Sequence, residues 1–134
     1  MALKIADGIR TTMVTAISDA IDLQAGAGLL RIYDGVQPAK GGAVTNLLAE
    51  LTFSVTSASG ITGGVLTFAA ITQDASADNT GTATWFRMVD ASATFVADGT
   101  AGTSGTDLIL TTASIVATQP VSINTGGTIT AGNN

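Results

Sequence analysis

The stretch Thr80–Thr112, TGTATWFRMVDASATFVADGTAGTSGTDLILTT, decides how this chain is read. Short runs of strand-like composition (Ala83 to Val89, Phe95 to Ala97, Leu108 to Leu110) alternate with Gly, Asp, Ser and Thr. Apolar and β-branched runs bounded by turn residues are the pattern of antiparallel strands joined by tight turns. The stretch holds no His and no Cys, and only four charged residues. Such a segment has much to pack with and little to catalyse with.

The same pattern extends in both directions. Leu29 to Tyr33 reads as a strand stopped by Asp34-Gly35, a favoured turn dipeptide. Gln37 to Thr45, with Pro38 and Gly41-Gly42, reads as a loop. Leu47 to Val55 places Leu51, Phe53 and Val55 on one face and Thr52 and Ser54 on the other. Gly60 and Gly63-Gly64 turn the chain into Val65 to Ile71, and Gln73 to Gly81 is a polar loop. Ala83 to Val89 is the densest strand, and Val89 to Ser92 turns it into Thr94 to Ala97. Asp98-Gly99 and the segment to Gly105 read as a mobile connection. Thr106 to Thr112, Ser114 to Ala117 and Val121 to Ile123 follow as strands, the last begun by Gln119-Pro120, where a missing N–H is tolerated. Residues 124–134, made of Gly, Thr, Asn, Ile and Ala, read as a flexible tail.

Only Ile5 to Leu23 carries a helical period. Ile5, Ile9, Met13, Ile17 and Ile21 recur every four residues as an apolar stripe, which predicts a helix laid on a sheet. Asp7 charges the first turn and Gly26 and Gly28 supply a stop. The expected fold is mainly β, with about eight short strands after one N-terminal helix. They form an antiparallel two-sheet sandwich, jelly-roll-like, in a single domain over residues 1–134: helix 5–23, β-sandwich 29–123 and tail.

Composition narrows the function. The 134 residues contain no Cys, which excludes disulfides and thiolate metal sites, and no His, which removes the commonest general base. Charged residues are 11% of the chain, against about 25% in typical domains. A surface finished in Thr, Ser, Ala and Gly suits burial against neighbours; the plainer alternative is a hydroxyl-coated monomer. The net charge of −5 and the dispersal of Lys4, Arg10, Arg31, Lys40 and Arg87 argue against nucleic acid as a partner. A signal-peptide pattern and a bilayer-length apolar run are both missing, so no membrane partner is expected and synthesis is placed in a cytoplasm.

Asp74, Asp78 and Asn79 space oxygen ligands as a weak Ca²⁺ loop does, but with too few acids and no bidentate Glu; turn chemistry is the better reading, and no metal or cofactor is expected. Neither a G-x-S-x-G nor an S-x-x-K context supports nucleophilic catalysis, so the chain is not expected to be an enzyme. Gly99 to Gly105 lacks the Lys and following helix of a phosphate cradle. The interface candidates are Trp85 and Arg87, two apart on one strand face, and, as weaker candidates of the same kind, Tyr33 at the end of its own strand with Arg31 beside it. Either Phe86 and Met88 face the core and Trp85 and Arg87 face outward or into a second interface, or Trp85 fills the centre of the sandwich and Phe86 faces out.

LLRIYDGVQPA (Leu29 to Ala39), NLLAELTFS (Asn46 to Ser54) and GTATWFRMVDASATFVADGTAG (Gly81 to Gly102) together resemble small virion proteins of tailed bacteriophages, in particular head decoration (cement) proteins. That resemblance covers roughly Ile9 to Ile123. It implies a jelly-roll-like fold, a place on the capsid exterior and the major capsid protein as partner. It carries no site motif. A dimer or trimer is the expected state in such a lattice. A tail or neck subunit is the alternative from the same particle. A carbohydrate-binding attachment module is a third reading, weakened because only Trp85 and Tyr33 are available to stack on a sugar.

Overall fold

The computed structural model describes residues 3–123 and 127–131. In chain order the elements are α1 (Asp7–Ile21), β1 (Leu29–Tyr33), β2 (Leu47–Thr52), β3 (Ala58–Thr62), β4 (Val65–Phe68), β5 (Gly81–Thr82), β6 (Trp85–Val89), β7 (Phe95–Gly102), β8 (Leu108–Ile109), β9 (Ser114–Ile115) and β10 (Thr128–Thr130). Over the described residues the protein is thus mainly β, with one helix. The strands form a five-stranded sheet in the order β2-β1-β6-β7-β8, a three-stranded sheet β10-β4-β3 and a small pair β5-β9. Every pairing is antiparallel except β7 with β8, which is parallel and departs from the all-antiparallel expectation.

The core lies on one face of the large sheet. Leu30 and Ile32 of β1, Leu51 of β2, and Phe86 and Met88 of β6 meet Val14 and Ile21 of α1 and Leu66 and Phe68 of β4. Fully burying an aliphatic or aromatic side chain of this size is worth about 1.5–3 kcal/mol relative to exposure. Phe53, just beyond β2, closes against Phe68 with ring centroids 5.0 Å apart.

The helix turns its apolar stripe only partly inward. It buries Val14, Ser18 and Ile21, whereas Ile9 and Met13 are exposed. The reason is geometric: a step of four residues overshoots a 3.6-residue turn by about 40°, so Ile9 and Ile21 stand about 120° apart around the axis. At its N-terminal end Asp7 pairs with Arg10 at 3.3 Å, and no side chain caps the first turn. At the other end both carboxylate oxygens of Asp22 accept from the Ser57 N–H, at 3.1 Å, tying the helix terminus to the approach of β3.

Three further sequence expectations change. Residues 98–102 are not a mobile connection but the second half of β7, in register with β6. Gly99 sits opposite Phe86, and a Cβ there would lie 2.6 Å from the Phe86 ring. The glycine marks a close approach within a strand, where the sequence pattern suggested a turn. Val121–Ile123 makes a single bridge, Val121 to Asp74, and no strand. Residues 128–130 of the expected tail form β10 on β4, with the Arg10 Nε–H donating to the Ala131 carbonyl at 2.8 Å. The rest of that tail, residues 124–126 and 132–134, lies outside the described residues.

Gly99→Ala is therefore expected to lower stability by about 1–3 kcal/mol through overpacking against Phe86. A shift of the urea midpoint at unchanged m-value checks it.

Candidate functional site

The opposite face of the large sheet carries the residues singled out from sequence. Strand alternation puts Trp85 and Arg87 of β6, Arg31 and Tyr33 of β1, Glu50 of β2 and Asp98 of β7 together on it. Register aligns four of them in one row across four strands: Glu50 opposite Arg31, Arg31 opposite Arg87, and Arg87 opposite Asp98. Like charges directly opposite one another are destabilising. Each arginine is instead neutralised by the carboxylate on its far side.

Arg87 is the more deeply held. Its Nε–H donates to Asp98 Oδ1 at 2.6 Å and its Nη2 to Oδ2 at 2.8 Å, a two-pronged pair with both side chains at or below 10% exposure. Nη2 also donates to the Gly42 carbonyl at 3.1 Å. The guanidinium lies 5.4 Å from the Trp85 ring centre and 5.1 Å from that of Phe95. The Asp98 hydrogen bond holds the Arg87 pKa above its ordinary value, against the opposing effect of burial. Arg31 donates from Nε to Glu50 Oε2 at 2.7 Å, and both remain half-exposed.

Trp85 is fully buried, stacked on Tyr33 with centroids 4.3 Å apart and planes 13° from parallel. Its indole N–H donates to the Asp34 carbonyl at 3.0 Å and to Thr45 Oγ1 at 2.9 Å. Those partners belong to the connection between β1 and β2, residues 34–46, which folds over this face. The segment is closed at its neck by Asp34 and Asn46, whose backbone groups bond at 3.2 Å while the Asp34 carboxylate accepts from the Asn46 N–H and side-chain amide. Gly41, at φ +66°, turns the segment where it passes the Phe95 ring.

Both alternatives posed from sequence are thereby revised. Phe86 and Met88 do face the core, but Trp85 and Arg87 do not reach solvent. They lie with Tyr33 in a second, smaller interior covered by the chain itself. Of the four interface candidates, Arg31 alone retains substantial exposure. One signal in the sequence bears on this: antiparallel neighbours need only two to five linking residues, and a connection as long as 34–46 has spare length to cover something.

Burial pushes the Tyr33 hydroxyl above its ordinary value of 10.0, partly offset by Arg31 and Arg87. The native state then keeps a proton that the unfolded chain has released, so stability falls as pH climbs from about 10. Tyr33→Phe is expected to flatten that alkaline decline, which urea midpoints between pH 9 and 11 will read.

The Asp74 loop is used structurally. Asp74 Oδ2 accepts from the Glu50 N–H and Oδ1 from the Ser76 N–H, both at 2.9 Å. Asp78 N–H donates to the Leu48 carbonyl at 2.8 Å, and the Asn79 amide to Leu47 at 2.8 Å. Residues 72–79 thus seal the outer edge of β2. Among the described residues, no three His, Cys, Asp or Glu gather closely enough to hold a metal ion, and no helix is long and apolar enough to cross a membrane.

What the surface offers instead is apolar. Val36 and Val44 stand out from the covering segment, Ile9 and Met13 from α1, and Leu23 and Val55 from the turns beside Asp22. No protein-family model, curated protein or solved structure matches this chain.

Proposed function

We propose that this chain is a non-catalytic structural protein of a bacteriophage virion, binding the major capsid protein lattice from outside and reinforcing it. The observation that carries this reading is the division of labour among its side chains. The buried cations and carboxylates are spent on internal ties, while valines and other aliphatic residues face out on a surface poor in charge. A surface of that kind is suited to being covered by neighbours. The resemblance of its strand-and-turn phrases to those of head decoration proteins supports the same reading. In it, the five-stranded and three-stranded sheets act as the two leaves of a jelly-roll-like sandwich, and copies associate as dimers or trimers about lattice axes. Contacts that are individually modest hold through multiplicity, since one subunit touching several capsid proteins gains by effective concentration.

Quantitative mass spectrometry of purified particles tests the proposal. A copy number equal to that of the major capsid protein, or a simple fraction of it, supports a decoration role. A handful of copies moves the protein to the tail or neck, and absence ends the virion reading.

The covering segment supplies a variant. Val36 is 83% exposed and Val44 49%, and exposed substitutions usually change stability by no more than about 0.5 kcal/mol. The pair Val36→Asp with Val44→Asp is expected to weaken binding to undecorated capsids while leaving thermal unfolding unchanged, as read by co-sedimentation and calorimetry.

A further inference from the structure

Strand edges are the places where a β protein can still form backbone hydrogen bonds. The edge of β2 is sealed by residues 72–79. Two others face a common cleft. Gly127 C=O accepts from Phe68 and Ala131 N–H donates to Gly64, so these residues turn their backbone groups toward β4. By strand alternation Thr128 and Thr130 turn theirs away from it. Leu110 N–H likewise donates to Gly102 of β7, which directs the Ile109 backbone away from that strand. Ile109, Thr128 and Thr130, with Thr106 and Asp107, line a cleft of about 320 Å³.

The size suits a strand. An extended residue within packed sheets fills roughly 160 Å³, from a rise of about 3.4 Å, a strand spacing of about 4.8 Å and a sheet spacing of about 10 Å. The cleft therefore has room for an extended backbone beside the two residues of β8. A second hollow of about 190 Å³ shares Asp107 and Ile129 with the cleft and is lined further by Ile17, Phe86, Met88, Ala97, Asp98 and Gly99. Its walls are mostly apolar, and its space suits one aliphatic side chain.

Charge selects the occupant further. Asp107 Oδ2 accepts from the Thr100 N–H and hydroxyl, each at 2.8 Å, and the ion pairs among the described residues do not include Asp107. A lone carboxylate at the cleft, in a chain of net charge −5, favours a cation.

We infer that the cleft between β8 and β10 is a strand-addition site for an extended segment of a partner protein. That segment pairs its backbone with Thr128 and Thr130, sets an aliphatic side chain on Phe86 and Met88, and brings a Lys or Arg to Asp107. This inference stands on the edges, the cleft and the charge, and does not depend on the virion reading.

The probe is a synthetic peptide alternating Val with Lys, compared with one in which Glu replaces Lys. Binding is read by amide chemical-shift changes in the full chain and by fluorescence anisotropy. The Lys peptide should shift Ile109 and residues 127–131 saturably, and the Glu peptide should bind roughly tenfold more weakly. Thr130→Pro removes an outward N–H without taking a bond from β4, and should abolish binding at unchanged thermal stability. Asp107→Asn keeps an acceptor for Thr100 and should erase the preference for Lys; it carries the test if the proline variant does not fold. Undiminished binding to folded Thr130→Pro, shifts confined to other edges, or no saturable shift at millimolar peptide would each overturn the inference. So would concentration-dependent self-association that occupies the same residues and excludes the peptide.

Discussion

Arg87→Met should cost the fold about 3–5 kcal/mol, the usual penalty for removing one partner of a buried ion pair. The loss is not that of a salt bridge at a surface, worth about 0–1 kcal/mol. Without the guanidinium, the Asp98 carboxylate stays at 4% exposure with its principal cation gone, and the Gly42 carbonyl loses a donor. The double variant Arg87→Met with Asp98→Leu is expected to recover most of the stability, because two apolar groups leave no stranded charge. Arg87→Lys should recover little, since an ammonium cannot match the two-pronged contact or lie flat against the Trp85 and Phe95 rings. Denaturant unfolding of wild type, both single variants and the double variant yields the coupling energy directly. A loss below about 1 kcal/mol for Arg87→Met would mean that water reaches the pair.

The second large effect belongs to Trp85. Truncation to Ala is expected to cost about 3–5 kcal/mol. It removes the stack on Tyr33 and the indole N–H that holds the covering segment at Asp34 and Thr45. Trp85→Phe keeps a ring on Tyr33 but strands those acceptors, for an intermediate loss of about 1–2 kcal/mol. Lys40 lies within the covering segment, so its release has a chemical readout. Trypsin should cut at Lys40 much faster in Trp85→Ala than in wild type, at temperatures where the remainder of the fold persists. Equal cleavage rates would show that the segment is held by something other than the indole.

How far the sequence could be read depended on whether the deciding interaction was local. β1 lies at Leu29–Tyr33 as the alternation of Leu30 and Ile32 with Arg31 predicts, and Phe86 and Met88 face the core. The helix is local too, and its position was legible, although two of the three residues it buries, Val14 and Ser18, lie off the stripe. Long-range features were not. β10 consists of Thr-Ile-Thr among glycines and asparagines, and it is a strand because β4 lies beside it and Arg10 reaches its end. Asp98-Gly99 has the composition of a turn, but the Arg87 guanidinium and the Phe86 ring, both from β6, hold it in a strand. The candidate site divides on the same line. Trp85 with Arg87 and Tyr33 with Arg31 were identifiable as two same-face pairs from strand alternation, and the pairing of β1 with β6 that joins them was not. What covers three of them was not, because no local pattern says where a loop comes to rest.

The charged row has a consequence for how the chain finds its pairing. Much of this sequence is written in interchangeable words of Thr, Ala, Val and Gly, which pair almost as well one residue out of step. Slipping β6 by one position against β1 would drive Arg87 in among Leu30, Ile32 and Leu66, and turn Phe86 toward the arginine of the neighbouring strand. Glu50, Arg31, Arg87 and Asp98 meet their opposites in one alignment alone. Four charges, in a chain that has few, serve as its proofreading.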